Sequence, residues 1–206
     1  MPRIAAPADV RVSVLDAATR LMDGCGFKKM TMEAIAREAG IGKATIYGYF
    51  ENKEDVALSV IRRYQQSVKV RWHEIAETDA PPDERLRDML VVLVLSGFDR
   101  AQCCRQSMDE TLAALRHAIL QRRFQYNAEL ALLLAIVLQQ GCDAGLLACS
   151  NTQVGAQALI TGISGLNPTN LSPQELGERD EIEARTHQVI DLMLSGLLVR
   201  GRIASP

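Results

Sequence analysis

The chain has 206 residues, 48% of them hydrophobic and only 4% aromatic, and a formal net charge of −2. That length fits one or two domains with a sizeable core, and the near-neutral balance excludes a protein that holds nucleic acid by bulk basicity. Scarce aromatics and few β-branched runs favour helices over sheet, and the longest apolar runs, Met89–Leu95 and Leu130–Leu138, fall well short of the ~20 residues a membrane helix needs.

The charge is unevenly spread. The first 64 residues hold ten Lys/Arg against eight Asp/Glu, and the remainder thirteen against seventeen, so a weakly basic front precedes an acidic rest. Cys25, Cys103, Cys104, Cys142 and Cys149 are odd in number and lack CxxC spacing, which argues against a disulfide framework and for a reducing cytoplasm. The opening MPRIAAPADV lacks the apolar segment of a secretory signal.

Residues 1–8 read as an arm, because Pro2 and Pro7 disfavour a helix there; Arg3 either reaches a minor groove or belongs to a frayed end. The first helix is expected over Asp9–Cys25, with Val14, Leu15, Ala18, Leu21 and Met22 in one apolar stripe and Arg11 and Arg20 on its polar side. Gly24 and Gly26 close it, Phe27 plugs the core, and Lys28 and Lys29 either touch phosphate or form a solvated turn.

Thr31–Phe50, TMEAIAREAGIGKATIYGYF, organises the chain. Thr31 is a good N-cap. Met32, Ile35, Ala36 and Ala39 follow at helical spacing, with Glu33, Arg37 and Glu38 on the wet side. Gly40 suits a left-handed helix end, Ile41 plugs the corner, and Gly42 opens a second short helix. Ala44, Ile46 and Phe50 form its apolar side and leave Lys43, Thr45, Tyr47 and Tyr49 facing out. A short helix showing a cation, a hydroxyl and two phenols suits a polar, anionic partner, as in a helix-turn-helix whose second helix reads the major groove. Lys43 and Thr45 are placed to reach base edges, Lys43 favouring a guanine. Gly48 lets backbone approach DNA closely.

Arg11–Leu58 closely resembles the DNA-binding domain of the TetR family of bacterial transcription regulators. The resemblance rests on RVSVLDAATRLM, the Gly26-Phe27 step, TMEAIAREAGI and GKATIYGYFENKEDV. It departs mildly at Gly42, Ala44, Tyr49 and Met30, where the family favours Ser, Gly, His and Thr. It implies backbone contacts from Tyr47 and Tyr49 and a phosphate contact from Lys53. The expected DNA-binding set is Thr31, Gly42, Lys43, Ala44, Thr45, Tyr47, Gly48, Tyr49 and Lys53, in a head over residues 1–52. Residues 53–206 are expected to be a helical ligand-binding and dimerisation domain, with 53–77 as the connecting helix.

Asn52 is the expected N-cap of that connecting helix, which carries Ala57, Leu58, Ile61, Tyr64 and Val68 inward. Thr78–Asp83, with Pro81 and Pro82, is the clearest linker. Glu84–Phe98 reads as a buried helix, Ala101–Thr111 as a short helix plus turn, and Leu112–Gly141 as one long helix or two, with LALLLAIVLQQ as core. Asn151–Gly165 follows, with Val154, Ala158, Leu159 and Ile163 on one face. Leu166–Arg179 is a loop, and Asp180–Arg200 the last helix.

The resemblance implies that the last two helices pair across a homodimer. The expected interface is Val154, Ala158, Gly162, Val189, Ile190, Met193 and Leu197, the alternative being that these faces complete one subunit's own core. It also implies an apolar pocket for a small-molecule effector, with Trp72, Phe98, Met108, His117, Phe124 and Tyr126 as candidate liners, each of which is otherwise an ordinary core or surface residue. His73, His117 and His187 form no catalytic motif, and neither a cofactor nor a metal is implied. The expectation is an all-α cytoplasmic, non-enzymatic regulator, a repressor released from a palindromic double-stranded DNA operator. One alternative is a thiol-based redox or metal sensor using Cys103 and Cys104, with Arg100 and Arg105 lowering a thiol's pKa; another is a protein-interaction module that binds no operator.

Overall fold

A computed structural model describes residues 7–103, 108–171, 175 and 177–198. The described residues are helical: α1 (Pro7–Lys29), α2 (Met32–Glu38), α3 (Lys43–Tyr47), α4 (Lys53–Ala76), α5 (Pro82–Cys103), α6 (Met108–Asp143), α7 (Thr152–Ile163) and α8 (Arg179–Ser195), with short 3-10 turns at Ser164–Leu166 and Pro168–Asn170. None of these helices is long and apolar enough to cross a membrane. The chain divides into two compact units, Met1–Gln66 with Ala101–Arg122, and Ser67–Arg100 with Arg123–Pro206. Thus α4, α5 and α6 each run from one unit into the other.

In the first unit, α1 begins at Pro7, two residues before the expected Asp9. Proline fits a first helical position, where its missing N–H would have had no partner. The helix breaks at Gly26, whose φ of 79° and ψ of 165° are non-helical, so the expected end near Cys25 is where regular helix stops. Val14, Leu15, Ala17, Ala18 and Met22 bury one face of α1 against Met32, Ile35 and Ala36 of α2, Ile46 of α3, and Phe27, Met30 and Phe50. The cluster also takes Val56, Ala57 and Val60 of α4, and Leu115, with Ile119 packed against it, from α6. The opening of α6 therefore completes the head's core. Arg63 fastens α4 to α1: its guanidinium donates to Asp16 Oδ1 at 2.5 Å, Thr19 Oγ1 at 2.9 Å and the Leu15 carbonyl at 3.3 Å.

α4 is capped as its sequence requires, Asn52 Oδ1 accepting the Asp55 N–H at 2.8 Å. The residues expected as a possible two-part helix from Leu112 form one helix that starts at Met108. Its apolar second half is not all core. Leu130, Leu134 and Leu138 are fully buried, but Leu132 and Ile136 are exposed, because an unbroken apolar run covers more of the helix circumference than one packing face can bury.

In the second unit, α5 buries Leu86, Met89, Leu90, Val94, Leu95 and Phe98. α7 packs on α8. A Cβ at Gly162 would stand 2.7 Å from Met193 Sδ, so glycine permits this approach. Asn151 caps α7 through the Val154 N–H at 3.0 Å, and Glu178 and Glu181 form a capping box at the start of α8. Arg179 donates to Asp99 at 3.1 Å and Arg87 pairs with Asp191, tying α8 to α5 at two points. Beyond α8, the Ala148 N–H donates to the Leu197 carbonyl at 2.7 Å, beside a bridge between Leu147 and Leu198.

Candidate DNA interface

The turn between α2 and α3 is built by local chemistry. Thr31 Oγ1 accepts the Ala34 N–H at 3.1 Å. Gly40 takes φ 69°; its N–H donates to the Arg37 carbonyl at 3.2 Å, and the Ile41 N–H to the Ala36 carbonyl at 3.0 Å, the two bonds of a Schellman motif. Gly42, extended at φ −70° and ψ 147°, caps α3 with no side-chain bond. The five-residue α3 is too short to persist alone. Ile46 within it and Phe50 just beyond are buried in the head core and hold it.

This anchoring decides what α3 shows. Lys43, Thr45 and Gly48 are exposed, and Tyr47 is 48% exposed. Ala44, expected on the apolar side, is exposed as well. Two residues span about 200° of a helix, so once Ile46 faces the core Ala44 faces away. Tyr49 does not face out freely: it is partly buried and packs on the head core. It lies in the turn after α3, where the helical azimuth no longer holds.

The charges around this face are mostly engaged. Lys43 at the start of α3 pairs with Glu33 in the first turn of α2. The Lys43 ammonium, followed by Glu33's own backbone N–H, holds the Glu33 carboxyl below the usual carboxylate range, and bonding to Glu33 raises Lys43. Arg20 joins Glu38 at 2.8 Å. Lys53, expected at phosphate, donates to the carbonyls of Phe27 at 3.3 Å and Lys28 at 3.2 Å and sits 4.6 Å from the Phe27 ring. Those bonds cap the end of α1, and an ammonium has three N–H donors, so they do not exhaust it. The Arg11 guanidinium lies 4.8 Å over the Phe50 ring. These internal uses of Lys53 and Arg11 have no signature in local spacing. Residues 1–6 of the expected arm, Arg3 among them, lie outside the described residues, and Pro7 and Ala8 open α1 instead.

The candidate effector liners separate. Trp72 and Phe98 are buried in the second unit. Tyr126, in the same unit, is half-buried beneath Lys69, whose ammonium is 5.6 Å from the ring. Phe124 is 83% exposed. His117 belongs to the first unit and is exposed, its Nε2 2.9 Å from Gln121 Nε2. Met108 opens α6, and its side chain lies outside the described residues. Cys103 is exposed at the end of α5, whereas Cys104 and Arg105 lie outside the described residues. No group of three His, Cys, Asp or Glu able to hold a metal ion occurs among the described residues.

The expected dimer residues split between two faces. Ala156, Leu159, Ile160 and Ile163 of α7, and Ile182, Thr186, Ile190 and Leu194 of α8, are buried within the chain. Ile190 thus belongs to the core, since it repeats at four-residue spacing with Thr186 and Leu194. Leu159 and Ile163 likewise leave the face that Val154 and Ala158 share. Val154 is 59% exposed, Ala158 and Gly162 are exposed, and Val189, Met193 and Leu197 are half-buried. Leu192, which the apolar pattern of α8 passed over, is 76% exposed.

Residues 14–60 match the bacterial regulatory proteins of the tetR family. The chain is 30% identical over 86 residues to the HTH-type transcriptional regulator YhgD of Bacillus subtilis, a match that covers 42% of this chain and 45% of that protein. It is 24% identical over 189 residues to the fatty acid metabolism regulator protein of the same organism, covering 90% of this chain and 94% of that one. A transcriptional regulator from Cytophaga hutchinsonii has the same fold, with a TM-score of 0.74 at 18% identity over 90% of this chain and 97% of that chain. A capped helix-turn-helix set on α1, the family match over residues 14–60 and these likenesses make the head of this chain similar to that of the TetR family of bacterial transcription regulators.

Proposed function

We propose that this chain is a homodimeric transcriptional repressor that binds a palindromic operator through α3 and leaves it when a small molecule binds the helical body. The observation that carries the reading is the division of α3 into a buried anchor, Ile46, and an outward set of Lys43, Thr45 and Tyr47. Exposed cationic and hydroxyl groups on a helix that its own core holds rigid are suited to phosphates and base edges, where positioning groups and reading groups divide the work. In this reading Thr31, Gly42, Ala44, Gly48, Tyr49 and Lys53 shape or flank the same surface.

Two-fold pairing is supported by the exposed apolar residues of α7 and α8, Val154, Ala158 and Leu192, which water does not favour. A two-fold dimer places its reading helices one helical turn apart, ~34–36 Å, or a multiple of it. An effector then need only prefer the non-binding arrangement by a few kcal/mol to release the operator. α4 is one of the continuous elements available for that coupling, and the one that starts beside the turn at Phe50 and ends in the second unit. Trp72 and Phe98, buried in that unit, are the candidate liners best placed to feel an apolar effector.

The test is selection of bound duplexes from random DNA by the full chain, followed by gel shift with Tyr47→Ala. The reading expects a two-fold symmetric consensus, and about tenfold weaker binding of the variant to every duplex, the size of one charge-assisted hydrogen bond. An asymmetric or absent consensus, or unchanged affinity for Tyr47→Ala, would contradict it.

A further inference from the structure

Lys43 is the one cation at the start of α3, and its ammonium is held by Glu33. The two side chains are 59% and 56% exposed. An exposed pair of this kind contributes little to stability, so its place at the tip of the turn matters more than its strength. A carboxylate there is costly to a protein that approaches phosphates, because it repels them and it also occupies a cation that would otherwise attract them. The Glu33 carboxylate also accepts from its own backbone N–H and, least, from the Thr31 hydroxyl, so it has holds besides Lys43.

We propose that Glu33 is a discriminating residue for DNA: it withholds Lys43 from phosphates of arbitrary sequence and releases it only where a base edge offers a better acceptor. This rests on the operator-binding reading above. Affinity for any duplex grows with the number of phosphates neutralised, whereas an acceptor edge such as guanine O6/N7 is sequence-specific. While Lys43 is paired with Glu33 the two add no net charge to a non-specific complex. At the right base pair Lys43 exchanges one acceptor for another, and because the pair is exposed the exchange costs little. Glu33 thereby weakens binding to random DNA more than binding to the operator, and it is a positioning residue acting through Lys43.

The experiment measures fluorescence anisotropy of the full chain against two probes, a duplex selected by the wild-type chain and a random 30-base-pair duplex, over a salt series. Wild type, Glu33→Gln, Lys43→Gln and the double variant are compared, with thermal melting to verify that each is folded. Glutamine keeps the shape of Glu33 and leaves the Thr31 cap in place. The expected result is that Glu33→Gln tightens random-duplex binding by roughly three- to tenfold and steepens its salt slope by about 1, as one added phosphate contact would. Binding to the selected duplex should gain less, and the gain should vanish in the Lys43→Gln background. An unchanged random-duplex affinity and slope in Glu33→Gln would overturn the proposal, as would a gain undiminished without Lys43, which would mean only that a negative charge had been removed. If wild type binds neither probe, the operator reading falls and this one with it; if wild type prefers the selected duplex and Glu33→Gln behaves identically, only the role of Glu33 falls.

Discussion

The two outward faces of this molecule differ in a way that separates their tasks. The α3 surface shows Lys43, Thr45 and Tyr47 to water and hides Ile46 and Phe50; it is content in solvent and selective for polar company. The α7 and α8 surface hides Ile160, Ile163, Ile190 and Leu194 and still leaves Val154 and Leu192 exposed. Fully burying one such aliphatic side chain is worth about 1.5–3 kcal/mol, so this second face gains from a permanent partner. The polar face suits a ligand that must come and go, and the apolar face one that stays.

The sharpest break of that contrast lies beneath the polar face. Phe50→Ala should cost about 3–5 kcal/mol by leaving a cavity under α3, seen as a lower melting temperature together with loss of duplex binding. If the head kept its melting transition, Phe50 would not be the anchor. Leu192→Asp should act on the other face alone. Placing a charge in a desolvated contact costs several kcal/mol, so sedimentation should show monomers at concentrations where wild type is paired, with helix content unchanged. A variant that still pairs would move the interface away from α8.

Smaller effects sharpen the same contrast. Thr31→Ala removes the cap of α2 and should cost about 1 kcal/mol in chemical denaturation, with duplex binding weakened only as far as α3 loses its support. The smallest effect is one of pH. Lys69, first through its hydrogen bond, depresses the Glu129 carboxyl below its usual value. A carboxylate with a lowered folded pKa contributes stability above its unfolded pKa, and that contribution is lost as pH falls through the folded value. The chain should therefore lose a little melting temperature on acidification below the ordinary carboxylate range, and Lys69→Met should flatten that slope; an equal slope in the variant would assign the loss elsewhere.

Much of the head was legible in its sequence because its signals are local. Thr31, Gly40, Gly42 and Asn52 each act on backbone groups within a few residues, and all four do in the structure what their residue types dictate. What escaped was set by distant packing. Nothing in the spacing of Leu115 and Ile119 tells that they close the head's core, because periodicity gives a face but not its partner. The α7 spacing predicts one face of Val154, Ala158, Leu159 and Ile163. A helix rich in small and aliphatic residues has no strong polar side to set its azimuth, and the structure turns Leu159 and Ile163 inward and Val154 and Ala158 outward. Lys53 was readable as a cation at a helix start but not as a cap for the carbonyls of Phe27 and Lys28, which lie far away in sequence.

The most direct test of the central claim is sedimentation of the full chain with a labelled duplex it has itself selected, at low salt. The account predicts a complex whose mass requires two chains, or a multiple of two, on one duplex, formed by wild type and lost by Tyr47→Ala at the same concentration. A single chain per duplex, or a chain that sediments as a monomer and leaves every double-stranded probe free, would contradict it.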